Sequence, residues 1–341
     1  MEELRRRREE NLQIKKARTI PSLIPIKKDS PTADKIALFH SLFKGREDVY
    51  ARRWESIKSG KSGYQPACKN EWIKGICQKP EIKCGECLAR DFLPLTDDVI
   101  RNHLIGFDPE AKSRRNIRRD FTIGVYPLLE DETCWFLAID FDRDLWRDDV
   151  DAFRDTCCRF EVPLEIERSR SGRGAHAWVF FAEPIPSVEA RRLGTFLLTE
   201  TLDNRPEVGF DSYDRLFPSQ DILPEGGFGS LIALPLQGKD KEEGNTLFID
   251  DDFVPYSDQW AFLFSVRRLK RRDVEHIVEE ANRYGRIIGI RLPVIEERYE
   301  KPWRISRLQK KDKSLHIESL PEEVKVVLSD LVYIEKENLL P

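Results

Sequence analysis

The run Trp135-Phe136-Leu137-Ala138-Ile139-Asp140-Phe141-Asp142 opens with five apolar residues and ends in two aspartates on either side of a phenylalanine. A strand alternates its side chains with a period of two, so Asp140 and Asp142 share one face and Phe141 takes the other. Two carboxylates so placed repel unless a cation intervenes. A hard divalent ion such as Mg²⁺ accepts a few carboxylate oxygens and completes its shell with water and substrate phosphates. An acidic strand end turned to solvent gives the same pattern, so the neighbouring segments have to decide.

Upstream, the strand-like residues 121–128 are separated from 135–142 by the acidic turn 130–132, which predicts a hairpin. Downstream, a helical pattern over 148–160 stops before Pro163. A strand over 164–168 leads through Ser171-Gly172-Arg173-Gly174 into a second strand over 176–182. Ser187 is placed to cap a helix running to about Leu202, and the apolar segment 231–236 supplies a last strand after a longer insertion. The order βαββαβ is the split βαβ, ferredoxin-like pattern of an α+β fold. Beyond it, residues 273–284 read as a helix with Val274, Ile277, Val278 and Ala281 on one face, and Gly285 stands where a helix-ending glycine belongs.

In Ser171-Gly172-Arg173-Gly174-Ala175-His176 the glycines free the backbone to turn N–H groups toward an anion, while Ser171 and Arg173 add a hydroxyl and a fork of donors. A triphosphate cradle and an ordinary hairpin turn both fit the loop. Its strand would bring His176 close to Asp140. A third carboxylate is expected from Asp211, Asp214 or Asp221; Asp211 follows an apolar residue as a strand-borne ligand does, and is favoured. Lys239, after the last predicted strand, could bring an ammonium to a phosphate or simply occupy an exposed turn.

Cys68, Cys77, Cys84 and Cys87 place four thiolates within twenty residues, a tetrahedral Zn²⁺ set, and Lys83-Cys84-Gly85-Glu86-Cys87 resembles a zinc knuckle. Cys134, Cys157 and Cys158 fall in strand and helix patterns and read as small apolar residues. Arg114, Arg115, Arg118 and Arg119 would share one broad helix face, either solvated or turned to a polyanion. Ser30-Pro31 marks the start of an amphipathic helix carrying Ile36, Phe39 and Phe43.

The 341 residues suffice for about two domains. The organisation reads as a charged tail and linker (1–30), a helical segment (31–60), a zinc-binding module (61–95), a basic linker or helix (96–120), a catalytic core with a helical extension (121–300) and a C-terminal linker (301–341). Fifty-seven basic residues against 61 acidic ones leave a net charge of −4, which excludes a globally basic nucleic-acid coat and confines any polyanion site to a local patch. Apolar runs of six residues are far short of a membrane span, and no secretory signal is visible. A soluble cytoplasmic chain, and a fragment of a longer protein, are the expectations.

Taken in order, Asp140/Asp142, Gly174-Ala175-His176 and Phe210-Asp211 resemble the three motifs of archaeo-eukaryotic primases: Asp-x-Asp, small-x-His and apolar-Asp. KGREDVYARRWE (44–55), YQPACKNEWIKGICQKP (64–80) and YDRLFPSQD (213–221), followed by GGFGSLIALPLQGK (226–239), are similar to the primase-polymerase module of TOTE-type conflict systems. The CRISPR-associated primase-polymerases are close relatives of that module. The likeness covers residues 38–250. It implies an RRM-like palm and template-directed nucleotidyl transfer from NTPs or dNTPs to a 3′-hydroxyl, with Asp140, Asp142 and Asp211 holding two Mg²⁺ or Mn²⁺ ions. It further implies that His176, Ser171 and Arg173 grip the nucleotide, that the zinc module and the arginines at 114–119 guide a DNA template, and that helicase and nuclease modules are partners. A metal-dependent nuclease or phosphodiesterase, and a non-catalytic zinc-containing nucleic-acid-binding module, are the rival readings.

Overall fold

The computed structural model describes residues 25–56, 59–108, 120–205, 212–283 and 285. Their elements run α1 (Thr32–Leu42), β1 (Ala51–Glu55), β2 (Ser62–Pro66), α2 (Asp97–Ile105), β3 (Ile123–Val125), β4 (Thr133–Asp142), α3 (Trp146–Arg159), β5 (Glu165–Arg168), β6 (Gly174–Pro186), α4 (Ser187–Asn204), β7 (Tyr213–Phe217), β8 (Ile232–Ala233), β9 (Phe248–Ile249), α5 (Gln259–Ser265) and α6 (Arg271–Arg283). Two sheets result, a mixed α/β architecture. One has the order β2-β1-β3-β8; the larger has the order β7-β4-β6-β5-β9, with antiparallel neighbours throughout. From β4 to β7 the chain therefore follows β-α-β-β-α-β through one sheet.

That sheet carries a core on each face. Leu137, Ile139 and Phe141 of β4 and Ala177, Val179 and Phe181 of β6 pack against α3, α4 and α6. The alternate residues Phe136, Ala138, Trp178 and Phe180 meet α1, α2 and the smaller sheet. Strand alternation sorts the side chains, and burial of both sets explains why β4 and β6 read as almost continuous apolar runs. Phe43, just after α1, seals the second core by standing edge-on to Trp178 and Phe180, with ring centroids 5.1 and 5.3 Å apart. Such pairs add about 0.5–1.5 kcal/mol each beyond burial.

Fully buried His103, on α2, ties this layer together. Its Nε2–H donates to the Pro235 carbonyl at 2.9 Å, and its Nδ1 accepts from the Ile123 N–H at 3.3 Å. Only the neutral ring can do both, and burial lowers its pKa to about 4.

Three local expectations are corrected. The predicted hairpin does not form: the turn closes with Leu129 N–H donating to Thr133 O, but β3 pairs with β1 and β8 while β4 pairs with β6 and β7. Residues 121–128 are buried throughout, so no polar alternation shows which sheet they serve. Residues 231–236 do not supply the last strand of the larger sheet. They give β8 to the smaller one, and β7 takes the place beside β4. β7 is an edge strand carrying Asp214 and Arg215, charges that protect an edge and hide it from a hydrophobic pattern. Ser187 makes no capping bond; its hydroxyl donates to the Gln220 carbonyl at 2.6 Å, and Pro186 precedes the helix. The helix near the C-terminal end matches its reading more closely, with Val274, Val278 and Ala281 buried and Gly285 at a φ of +65°. Tyr284 lies outside the described residues. Among those residues no helix is long and apolar enough to cross a membrane.

Candidate active site

β4 is flanked on both sides, so its carboxyl end is held by two neighbours. Asp140 stands opposite His176 of β6 and Arg215 of β7, and Asp142 opposite Gly174. Directly opposed residues share a face, which puts Asp140, Asp142 and His176 together on the side of the sheet that also carries Phe136 and Trp178. A bulge interrupts the β4–β7 register between Asp140 and Phe141, and Arg143 follows at a φ of +79°, turning the chain off the sheet directly after the acidic pair. Bulges and left-handed non-glycine residues concentrate where a strand end is re-aimed for function.

Asp140 is mostly buried, its side chain 17% exposed. Burial pushes its carboxyl up to about 6; His176 opposes the shift, and the negative charges of Asp142 and Asp214 add to it. His176 Nε2 lies 3.7 Å from Asp140 Oδ1, while Nδ1 is 2.6 Å from Oε2 of Glu167. Burial disfavours a charged imidazole, but Glu167 and then Asp140 outweigh it and raise the His176 pKa to about 9. Glu167, on β5, is almost fully buried and also accepts from the Trp178 indole N–H at 3.4 Å.

Gly174 is the close point between the two strands. A Cβ there would lie 2.3 Å from the Phe141 carbonyl oxygen and 2.5 Å from Asp142 Oδ1, so only glycine lets the Asp142 carboxylate rest against β6. The preceding loop is a tight β5–β6 connection. Gly172 N–H donates to Ser169 O, and Arg173 N–H donates to Ser171 Oγ, so these two donors are used within the turn. Gly172 has a φ of +70°. Ser171 and the Arg173 side chain are exposed, and no acidic partner meets the Arg173 guanidinium among the described residues. Arg170, not singled out from sequence, binds the loop to the smaller sheet's side: Nε lies 2.9 Å from Asp240 and Nη2 3.4 Å from Asp120. Lys239 precedes Asp240, is exposed, and donates its N–H to Gln237.

Asp211 and the arginines at 114, 115, 118 and 119 lie outside the described residues. Ser212, next in sequence to Asp211, is described and doubly held: its carbonyl accepts from Asp142 N–H at 2.6 Å, and its N–H and hydroxyl both donate to the buried Asp149 of α3. Asp214 pairs with Arg215 at 2.6 Å and acts on Asp140 electrostatically. Asp221 pairs instead with Arg191 of α4. Among the described residues no three His, Cys, Asp or Glu side chains converge at ligand spacing. Even so, Asp140 and Asp142 offer two hard oxygen donors on one face of the strand end, the donor type that a divalent cation takes.

Cys68, Cys77, Cys84 and Cys87 line one cavity. The module around them is closed at its base by the antiparallel bridge of Cys68 with Phe92 and by Leu93 N–H donating to Ala67 O. Burial raises the Cys84 thiol's pKa; Lys79 opposes, and Cys68 and Cys77 add to the rise. Asp91 N–H donates to Cys68 Sγ at 3.4 Å. The four cysteines line one cavity without converging at ligand spacing, and soft thiolates, one accepting a backbone N–H, are the donor type that Zn²⁺ takes.

Glu167, Arg170, Asp149 and Ser212 were not foreseen. Glu167 was recoverable in principle, because a hairpin folded about residues 169–174 pairs it with His176 across nine positions. The other three act over separations of 50 residues or more and leave no local signal.

A family model described as the archaeo-eukaryotic primase domain of TOTE conflict systems matches residues 34–277. The chain belongs to this family. Membership makes it, in general terms, a primase-type nucleotidyltransferase domain of a conflict system, and the matched span contains both sheets, the cysteine module and the acidic strand end. No curated protein matches the chain.

Proposed function

We propose that this archaeo-eukaryotic primase domain is a DNA primase-polymerase that joins NTPs or dNTPs to a 3′-hydroxyl on a DNA template, on an RRM-like palm formed by β4 to β7. The observation that carries the reading is the shared face of Asp140, Asp142 and His176 at the end of a central strand, in a chain of primase family.

Asp140, Asp142 and Asp211 would hold two Mg²⁺ or Mn²⁺ ions, which when bound supply charge neutralisation on the triphosphate and a more acidic attacking hydroxyl. Asp142 is kept against β6 by Gly174. His176 directs Nε2 over the same face and, carrying a proton, donates to a phosphate oxygen. Arg173 and Ser171, exposed at the turn, reach the outer phosphates, and Lys239, exposed and next in sequence to Asp240, adds an ammonium. No side-chain nucleophile is needed, because positioning and charge stabilisation supply most of the acceleration in phosphoryl-type transfer. A structural Zn²⁺ on the four cysteines, and the arginines at 114, 115, 118 and 119, would guide the template.

Extension of a labelled primer on a DNA template, with Mg²⁺ or Mn²⁺, tests the reading. Wild type elongates and releases pyrophosphate, and Asp140→Ala/Asp142→Ala does not; a lane without primer separates primer synthesis from extension. Shortened strands would instead establish a nuclease. A folded, zinc-loaded wild type without product under either metal would leave a binding module.

A further inference from the structure

We infer that Glu167 is a positioning residue that fixes the His176 ring so that Nε2 faces the incoming nucleotide's phosphates. The inference rests on the nucleotide-binding role proposed above for His176.

The geometry leaves the ring few alternatives. Glu167 Oε2 accepts from His176 Nδ1 at 2.6 Å and from the Trp178 indole at 3.4 Å, within a layer where Glu167 is 1% exposed and Trp178 is fully buried. Turning the ring over would set a carbon against the carboxylate and withdraw Nε2 from the face of Asp140. A charge-assisted bond of this length holds one orientation and one tautomer, as a carboxylate behind a ligating or catalytic imidazole does elsewhere. β5 and β6 are joined by the very loop that carries Ser171 and Arg173, so the hairpin that aligns Glu167 with His176 also aligns the imidazole with the loop's exposed donors. A buried carboxylate kept only for packing would be an expensive choice where an apolar residue of similar size fits.

The test is a double-mutant cycle on the full chain with Mn²⁺ and a primed DNA template. Glu167→Gln keeps the volume and removes the charge. It is expected to raise KM for dNTP about tenfold, the size of a lost charge-assisted hydrogen bond, with a much smaller change in kcat and unchanged primer-template affinity. In a His176→Ala background the same change should cost nothing further. Equal costs in both backgrounds would make Glu167 merely structural and overturn the inference. If His176→Ala itself leaves KM unchanged, the nucleotide-binding role of His176 fails first, and the inference falls with it. Nitrogen-15 spectra of the histidines give a readout that needs no turnover. Wild type should show a hydrogen-bonded Nδ1–H that is absent in His176→Ala and weakened in Glu167→Gln, whereas an unprotonated Nδ1 in wild type refutes the geometry.

Discussion

Gly174→Ala is the smallest change that should separate the acidic strand end from its neighbour. The added methyl would lie 2.3 Å from the Phe141 carbonyl oxygen, 2.5 Å from Asp142 Oδ1 and 3.2 Å from Asp142 Cα. Carbon–oxygen contacts settle near ~3.3 Å, so the carbonyl has to recede by about 1 Å. It has little freedom to do so, because Phe141 is paired with Ala175 on one side and Tyr213 on the other, and its ring is fully buried against Phe153. The strands must part locally and carry the Asp142 carboxylate with them. Overpacking of this kind costs about 1–3 kcal/mol, a fall of roughly 1–4 °C in Tm for a chain of this size. A displacement of about 1 Å at a reacting centre can cost on the order of a hundredfold in turnover. Primer-extension kinetics and thermal unfolding measure the two effects separately. Gly194→Ala is the control: its methyl meets only the flexible ends of Leu137 and Leu216, 3.0 Å away on the opposite face of the same sheet, and turnover should stay within about twofold. Gly174→Ala with wild-type Tm and turnover would refute the reasoning, since Asp142 would then not depend on that contact.

The buried His103 predicts a pH-dependent stability. With its folded pKa at about 4 and an ordinary value near 6.5, the unfolded chain alone binds the proton between the two. Its contribution is complete above pH ~6.5 and is lost as pH falls toward 4, by up to about 3 kcal/mol; urea titrations across that window should show the slope, and His103→Gln should flatten it. Removing metal from the cysteine module should release about one zinc per chain by a colorimetric dye and lower Tm. Gly85→Ala should disturb the same region with the cysteines intact, because its methyl would meet the Gly226 carbonyl oxygen at 2.1 Å; zinc release without any loss of Tm would argue against a structural metal. Among the three candidate third carboxylates, Asp221 is committed to Arg191, so Asp221→Asn should elongate within about twofold of wild type while Asp211→Asn abolishes product. The reverse result would move the third ligand to the far end of β7.

What could be read from the sequence follows the range of the forces involved. Strand alternation is local, and it put Asp140 and Asp142 on one face and recovered β4, α3, β5, β6 and α4 in order. The turn between β5 and β6 is local too, and it delivered His176 to the neighbouring strand. The failures came where long-range packing decides. Residues 121–128 are buried between layers and carry no pattern naming a sheet partner, so the apparent hairpin dissolved into two sheets. β7 is an edge strand carrying charges that a hydrophobic pattern passes over, whereas the more apolar 231–236 segment carries the pattern of a core strand.

The same division explains how the site is supported. The residues with motif character touch the open face, whereas those that hold them are buried or half-buried and come from elsewhere. Glu167 stands behind His176. Asp149 stands behind Ser212, whose carbonyl continues the pairing of Asp142. Arg170 ties the β5–β6 turn to Asp120 and Asp240 across the boundary between the two sheets. Glu167 and Asp149 are charges taken out of water and given specific partners, half-buried Arg170 is held by two, and such groups cost stability unless satisfied. Buried charges occur elsewhere as well, Arg46, Arg154 and Glu200 among them, but Glu167 directly and Asp149 through Ser212 are joined by hydrogen bonds to the strands that carry His176 and Asp142, which is the support the proposed site requires.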